Sequence, residues 1–391
     1  MAAPLALPSN RHYSLPMTQD MTAALSPFDG VADLPIAAEG GATARPAIPD
    51  DMAMIRAAAE LTRDLNAARP AIYWADFLVS AAIGYGALFL AIVADSGGAL
   101  FGWAAVAILA LYRAGSFIHE LTHIKHRDVP GFRFAWNALL GVPLMMPSFL
   151  YEGVHNLHHA RTRYGTSEDP EYLPLALMKP YKLAVFLVVA LLAPLVVLVR
   201  FGVIAPLSAI IPPLRKKVVA GMSALAINPD FRRRAPEGDI KRLWLATEIA
   251  ASLWANTLIA LVVGGVIPLR AFAIFAAIIS GAVFLNQIRT LVAHRWENDG
   301  DVMTQTGQYL DSVNVPPPAL LPALWAPVGL RYHAIHHLLP GLPYHALGEA
   351  HRRLKAALPD DSSYHRANYR GLPGLAVGLV RSSFEGPQSR T

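Results

Sequence analysis

The sequence predicts an all-α, multi-pass membrane bundle of four spans, capped on the cytosolic side by helices that carry a histidine-rich dinuclear metal site. Three observations lead there. The 391 residues are 54% hydrophobic and only 16% charged, with mean hydropathy +0.37, whereas soluble domains are about 45–50% apolar and about 25% charged. The apolar residues are gathered into uncharged runs long enough to cross a bilayer. Eight of the 14 histidines then fall into three short clusters near the ends of those runs.

Residues 1–50 are rich in Ala, Pro, Ser and Gly without a sustained period, so a disordered tail is expected. No charged segment followed by an apolar core marks a secretory signal there. Residues 51–74 suit an amphipathic helix leading to the membrane, with a break at Pro70. The membrane domain is expected over 75–360. Its first span, 75–94, is preceded by Tyr73 and Trp74, placed like interfacial anchors. Asp95-Ser96-Gly97-Gly98 forms a turn, and the second span, 99–118, ends directly on His119. A polar stretch over 127–180 follows. A later pair of spans, 243–267 and 271–292, is joined by Pro268-Leu269-Arg270 and ends just before His294.

The apolar run 183–211 is interrupted by Pro194, Arg200 and Pro206. If all clusters share one side of the membrane, this run crosses an even number of times or lies in the interface. The interfacial placement is expected, with a C-terminal tail over 361–391. Lys179, Lys182, Arg215, Lys216, Lys217, Arg232, Arg233, Arg234, Lys241 and Arg242 fall on the cluster side, and only Arg270 on the other. Positive charge collects on the cytoplasmic side of membranes, so the clusters are expected to face the cytoplasm, with a bacterial inner membrane as the setting.

The net charge of +5 and pI near 9.4 come from basic residues flanking apolar runs. That pattern suits anionic lipid headgroups rather than nucleic acid. The absence of cysteine excludes disulfides, iron–sulfur clusters and thiolate-bound metals. Any metal must be held by nitrogen and oxygen.

The clusters are His119-Glu120-Leu121-Thr122-His123, His155-Asn156-Leu157-His158-His159 and His333-Ala334-Ile335-His336-His337. Residues three and four apart share a helix face, so each cluster aims two or three imidazoles one way. Neutral imidazole binds Zn, Cu, Fe and Ni, and so many nitrogens can hold more than one ion. His294, ending an apolar run on the same side, is expected as a ninth ligand. His126 shares the face of His119 and His123, but Arg127 and Asp128 beside it mark a solvated end. His12, His345, His351 and His365 read as ordinary non-ligating residues.

Read alone, HELTH is also the HExxH signature of zinc proteases, with Glu120 as general base; two further triple-histidine clusters would then go unexplained. A metal transporter is a third class, but transport sites sit near the bilayer midplane and these clusters lie at span ends. Beside a multi-histidine centre, Glu120 would orient a ligating ring. Glu152, Glu168, Asp169 and Glu171 are the nearby acids; each taken singly reads more simply as a cap or a partner for Arg161 or Arg163, and Glu120, Glu152, Asp169 and Asn286 are the candidates for a supporting place behind the ligands. Asn286, Gln287 and Arg289 sit late in the last span, where hydrogen bonding between helices competes with lining the site.

The sequence resembles the membrane fatty-acid desaturase family, related to membrane hydroxylases and alkane monooxygenases. The resemblance rests on HELTH, on EGVHNLHHARTRYGTSEDPEYLP (152–174), RTLVAHRW (289–296), LDSVNV (310–315) and GLRYHAIHHLLPGLPYHALGEAHRRL (329–354). It implies two iron ions, O₂ as oxidant, and as ligands His119, His123, His155, His158, His159, His333, His336 and His337. Acyl-CoA desaturases carry a further histidine after the fourth span, in line with His294; their Asn four residues earlier is Thr290 here. The resemblance implies a desaturase acting on an acyl lipid or thioester, with a hydroxylase or ketolase at the same site as the alternative. No cytochrome b5-like haem segment is visible, so a separate ferredoxin-, rubredoxin- or cytochrome b5-like carrier is expected to bring electrons.

Overall fold

The structure, a computed structural model, describes residues 47–319 and 321–385. The expected tail over 1–50 lies outside the described residues up to position 46. The described residues are helical, with only isolated β-bridges.

Two long hairpins form the frame. In the first, α2 (Pro70–Val93) and α3 (Gly97–His123) flank the turn at Asp95 and Ser96, whose hydroxyl caps α3 by accepting from the Ala99 amide. Gly84 allows their close approach: a Cβ there would lie 2.7 Å from the Leu111 side chain and 3.1 Å from its backbone nitrogen. The second hairpin pairs α8 (Gly238–Val263) with α9 (Leu269–Leu291). Arg270 donates to the carbonyls of Ile92 (2.5 Å) and Ala94 (3.0 Å), tying the turn of one hairpin to the turn of the other. The opposite ends of α3 and α9 therefore lie together, and there the histidines gather.

Five helices are long and apolar enough to cross a membrane: α2, α3, α6 (Ala193–Ile210), α8 and α9. Four were expected. The additional one, α6, lies inside the 183–211 run. It follows α5 (Tyr181–Leu191) and contains a π-helical turn, Arg200–Ile204, just ahead of Pro206. Proline has no N–H to give to the turn before it, and a wider turn accommodates that loss.

Apolar chemistry alone does not hold α6. Arg200, 4% exposed, donates to the Met222 carbonyl (2.8 Å), to Ser223 Oγ (3.2 Å) and to Glu248 Oε1 of α8 (2.6 Å). Arg215, on α7 (Pro212–Gly221), takes the other oxygen of Glu248 at 2.7 Å. One buried carboxylate thus serves two guanidinium groups.

The shorter helices include those that carry the histidines and their supports. Asp51 caps α1 (Met52–Leu61) by accepting from the Met54 amide, and Met54 and Ala58 pack in one core with Leu347, Ala350 and Leu354 of α12 (Leu347–Ala357). The short α4 (His155–His158), α10 (Gln305–Asp311) and α11 (His333–Leu338) present the second and third clusters and their supports. Two local expectations change. Tyr73 is no interfacial anchor: it is fully buried in an aromatic cluster with Phe117, Phe132 and Tyr344. Nor is 361–385 a loose tail: Tyr364 is fully buried, stacks on Tyr309 and accepts its hydroxyl at a backbone carbonyl, and α13 (Leu372–Glu385) follows.

Removing one partner of a buried ion pair typically costs about 3–5 kcal/mol, because the other charge stays buried. Glu248→Ala strands two arginines. It is expected to lower stability in detergent by an amount in that range, read as a shift in the thermal unfolding midpoint; an unshifted midpoint would show that water reaches Arg200.

Candidate metal centre

Nine histidines converge from four parts of the chain. The end of α3 supplies His119 and His123. The α4 turn supplies His155, His158 and His159, the residue beyond α9 supplies His294, and α11 supplies His333, His336 and His337. They sort into two groups. His119, His123, His155, His159 and His336 form one; His158, His294, His333 and His337 form the other. Within each group, one ring nitrogen per residue lies within 4.8 Å of all the others, a spacing that can hold a metal ion. The three sequence clusters do not map onto the two groups. His158 and its neighbour His159 point to different ones, as do His336 and His337.

The donor set fits metal. Nε2 atoms of separate histidines face one another at 3.0 Å in the pairs His155–His159, His159–His336 and His294–His333, and at 3.2 Å in His333–His337. Imidazoles meeting nitrogen to nitrogen bring lone pairs together, which a cation relieves. Both nitrogens of His119 and Nε2 of His123 are buried with no hydrogen-bond partner, an arrangement that is rare unless something else satisfies them. Burial, reinforced by neighbouring imidazoles, holds His155, His159, His336 and His337 well below the usual imidazole value. The neutral, ligating form is thereby favoured.

Carboxylates fix the rings from behind. For His158, burial alone would favour the neutral form, but Asp169 overcomes it and raises the pKa. Asp169 is fully buried; its oxygens lie 2.9 and 3.0 Å from His158 Nδ1 and accept from the amides of Gly165 and Glu171 at 2.8 Å. Occupying Nδ1 leaves Nε2 to face the group. Glu171 does the same for His155, with Oε1 2.8 Å from Nδ1 and Oε2 accepting from the Tyr151 hydroxyl at 2.8 Å. Burial pushes the Glu171 carboxyl up to about 7. Behind His294 stands Tyr164, its hydroxyl 2.9 Å from Nδ1 and donating to Asp311 at 2.7 Å; Tyr172 donates to the other Asp311 oxygen at 3.2 Å. Burial raises Asp311 to about 6 despite those two hydroxyls.

The four acids and amides singled out in the sequence divide. Asp169 supports a ring directly. Glu120, 3% exposed, lies 3.8 Å from His119 Nδ1 and chiefly accepts from the Tyr73 hydroxyl (2.6 Å) and the Tyr344 amide (3.3 Å). It ties α2 and the Tyr344 segment to the end of α3. Glu152 belongs to another network, with Arg133 at 3.3 Å, His126 at 3.4 Å and the Ser148 hydroxyl. This also accounts for His126, which joins neither group. Asn286 accepts from Arg289 at 3.2 Å and shares no hydrogen bond with a histidine among the described residues. Glu171 and Asp311, the first discounted from sequence and the second noted only within LDSVNV, turn out to stand behind the rings. His345 accepts from the Arg69 amide, His351 pairs with the Tyr364 hydroxyl and His365 with the Leu358 carbonyl. His12 lies outside the described residues.

Losing a carboxylate behind a ligating histidine typically costs about 10–100-fold in metal affinity. Asp169→Asn is expected to show that loss in an iron titration of purified protein, while Glu152→Ala keeps wild-type metal content per folded chain. Equal behaviour of the two variants would contradict the division drawn above.

Comparison with known proteins agrees with this geometry. The sequence model of the fatty acid desaturase family matches residues 97–369, which include all nine histidines. A ceramide hydroxylase of Caulobacter vibrioides is 54% identical over 322 residues, covering 82% of this chain and 92% of the relative. No solved structure matches the chain. The chain belongs to the fatty acid desaturase family.

Proposed function

We propose that the protein is an O₂-dependent di-iron hydroxylase of a ceramide-type membrane lipid. The observation that carries this reading is the pairing of five and four buried imidazole donors in adjoining groups, in a chain 54% identical to a ceramide hydroxylase. All nine histidines act as ligands. A mononuclear zinc protease would use one group and leave the other without purpose, and Glu120, bound to Tyr73 and Tyr344, is not free to act as its base.

Two irons would be held by the groups and would supply, with O₂ and external electrons, an oxidant strong enough to break an unactivated C–H bond. The chain's own contribution is placement and exclusion. Asp169, Glu171 and the Tyr164–Asp311 pair hold ring orientation. The buried aromatic cluster of Tyr73, Phe117, Phe132 and Tyr344 seals the end of α3. Every residue from Gly281 to Thr290 keeps partial exposure, so no face of that half of α9 is closed, and an acyl chain can lie along it. Desaturation, the outcome first expected from the sequence, uses the same centre. The product depends on whether a second hydrogen is removed or oxygen is transferred, and the relative's name favours the latter.

For topology, we infer four crossings, with α5 and α6 entering and leaving on the cytoplasmic side. The Ser280 hydroxyl, near the middle of α9, donates to the carbonyl of Leu191 at the end of α5 (2.8 Å), and Gln287 donates to the Phe186 carbonyl (3.0 Å). So α5 runs down beside α9 only about halfway before the chain turns at Leu192. A chain without cysteine makes this simple to test. A single cysteine at position 97 should react with an impermeant thiol reagent from the periplasmic side, and one at position 192 should not; labelling of both would require α5 to cross.

Expression in a host whose ceramides lack the modification should yield ceramide carrying one added oxygen, detected by mass spectrometry, and His333→Ala should abolish it. Ceramide that instead loses two hydrogens would restore the desaturase reading, and no change in any lipid would refute both.

A further inference from the structure

Charged groups in the membrane-spanning helices are expensive and normally find partners. Four of the five arginines there do so, the exposed Arg242 at the start of α8 with Asp239 at 3.7 Å. Arg113 is bound twice by Asp76, at 2.7 and 2.5 Å. Arg200 is held by Glu248, and Arg270 by two carbonyls at the hairpin turn. Arg289, in the last turn of α9, is the exception. Its Nη2 donates to Asn286 at 3.2 Å, its Nε is buried with no partner, and no carboxylate within the described residues pairs with it. Its neighbour Tyr112 offers it a hydroxyl oxygen as acceptor but no compensating charge, and gives its own proton to the Trp325 carbonyl at 2.8 Å.

The surroundings of Arg289 indicate what it waits for. With Val313, Trp325, Leu330 and Arg331 it lines a small cleft that also touches Ala293. Arg331 is already committed, donating to the carbonyls of Val315 (2.8 Å) and Ala319 (2.9 Å). Ala293 precedes His294, and Arg331 stands two residues before His333, so the cleft adjoins the four-histidine group. The cleft is narrow, and a guanidinium there with one nitrogen unpaired is matched to a ligand that offers an acceptor oxygen on an apolar body. A plain hydrocarbon would leave it unsatisfied.

We propose that Arg289 recognises the oxygen-bearing head of the lipid substrate, donating to its amide carbonyl or hydroxyl and holding the carbons next to the head beside the four-histidine group. The proposal rests on the ceramide reading above and adds what that reading lacks, a determinant of which lipid is accepted and which end is oxidised. Oxidation then falls near the polar head, not at mid-chain.

The test uses the purified, iron-loaded full-length protein with ceramide and two analogues, one lacking the amide carbonyl and one lacking the primary hydroxyl. A hydrogen bond from a charged donor contributes enough to make its loss worth roughly tenfold or more in affinity. Arg289→Gln should therefore raise KM for ceramide by roughly that factor while kcat stays close to wild type. One analogue should be a poor substrate for the wild type yet no worse for the variant than ceramide is, and Arg289→Lys should recover part of the loss. An unchanged KM overturns the proposal. So does a loss equal for ceramide and both analogues, or a variant that no longer binds two irons, since either marks a structural role. Wild-type protein that leaves ceramide unoxidised refutes the ceramide reading itself; wild-type oxidation with an indifferent Arg289→Gln refutes only this inference.

Discussion

The fold depends on bringing imidazole nitrogens together where water is excluded and several of them have no protein partner. Nine imidazoles lie within two adjoining groups, and none of the four contributing segments can hold an ion alone. A buried polar nitrogen without a partner costs free energy. The arrangement is therefore stable only if the surrounding frame forces it or a cation completes it. Both conditions are built in. The hairpin turns are tied by Arg270 at one end of the bundle, and the carboxylates of Asp169, Glu171 and Asp311 fix the rings at the other.

Those carboxylates also answer the charge problem. Nine neutral ligands would leave the charge of two divalent ions uncompensated. Placing acids one bond further out, behind the histidines, supplies negative charge without occupying coordination positions. It also sets which ring nitrogen faces the metal. Glu171 and Asp311 carry raised pKa values because they are buried; bound cations close by would pull them back toward the ionised form. Metal binding and ionisation of these acids thus favour each other.

The histidine chemistry was legible in the sequence, because H-x-x-H-H at span ends has a direct geometric meaning on a helix. The two long hairpins were legible too, since hydropathy marks long apolar runs. The regrouping of three clusters into two sites was not. Adjacent residues on a tight turn such as His158 and His159 diverge, and only the meeting of α4 with α11 shows where each goes. Asp311 was hidden for a similar reason: it lies 17 residues beyond His294 and reaches it through Tyr164, a contact set by tertiary packing alone. Glu152 and Glu171 looked alike in the sequence. Arg133 and Ser148 claimed the first, and the turn after Asp169 aimed the second at His155. The apolar run 183–211 stayed ambiguous because hydropathy reports greasiness and not depth; the contacts of Ser280 and Gln287 show only where its first helix, α5, lies beside α9.

The last step concerns what a shared centre can and cannot specify. Desaturation and hydroxylation begin with the same loss of a hydrogen atom from carbon and diverge only afterwards. A scaffold that holds the metal ligands rigidly therefore fixes the oxidant but not the product. The product is decided by how long and at what distance the carbon is held, which is a property of the substrate cleft and not of the histidines. If Arg289 grips the lipid head, that property sits at the end of α9, where Arg289 lines a narrow cleft with Val313, Trp325, Leu330 and Arg331. The family is thus written in the nine imidazoles, and the choice among its reactions must be written in the residues that grip the lipid.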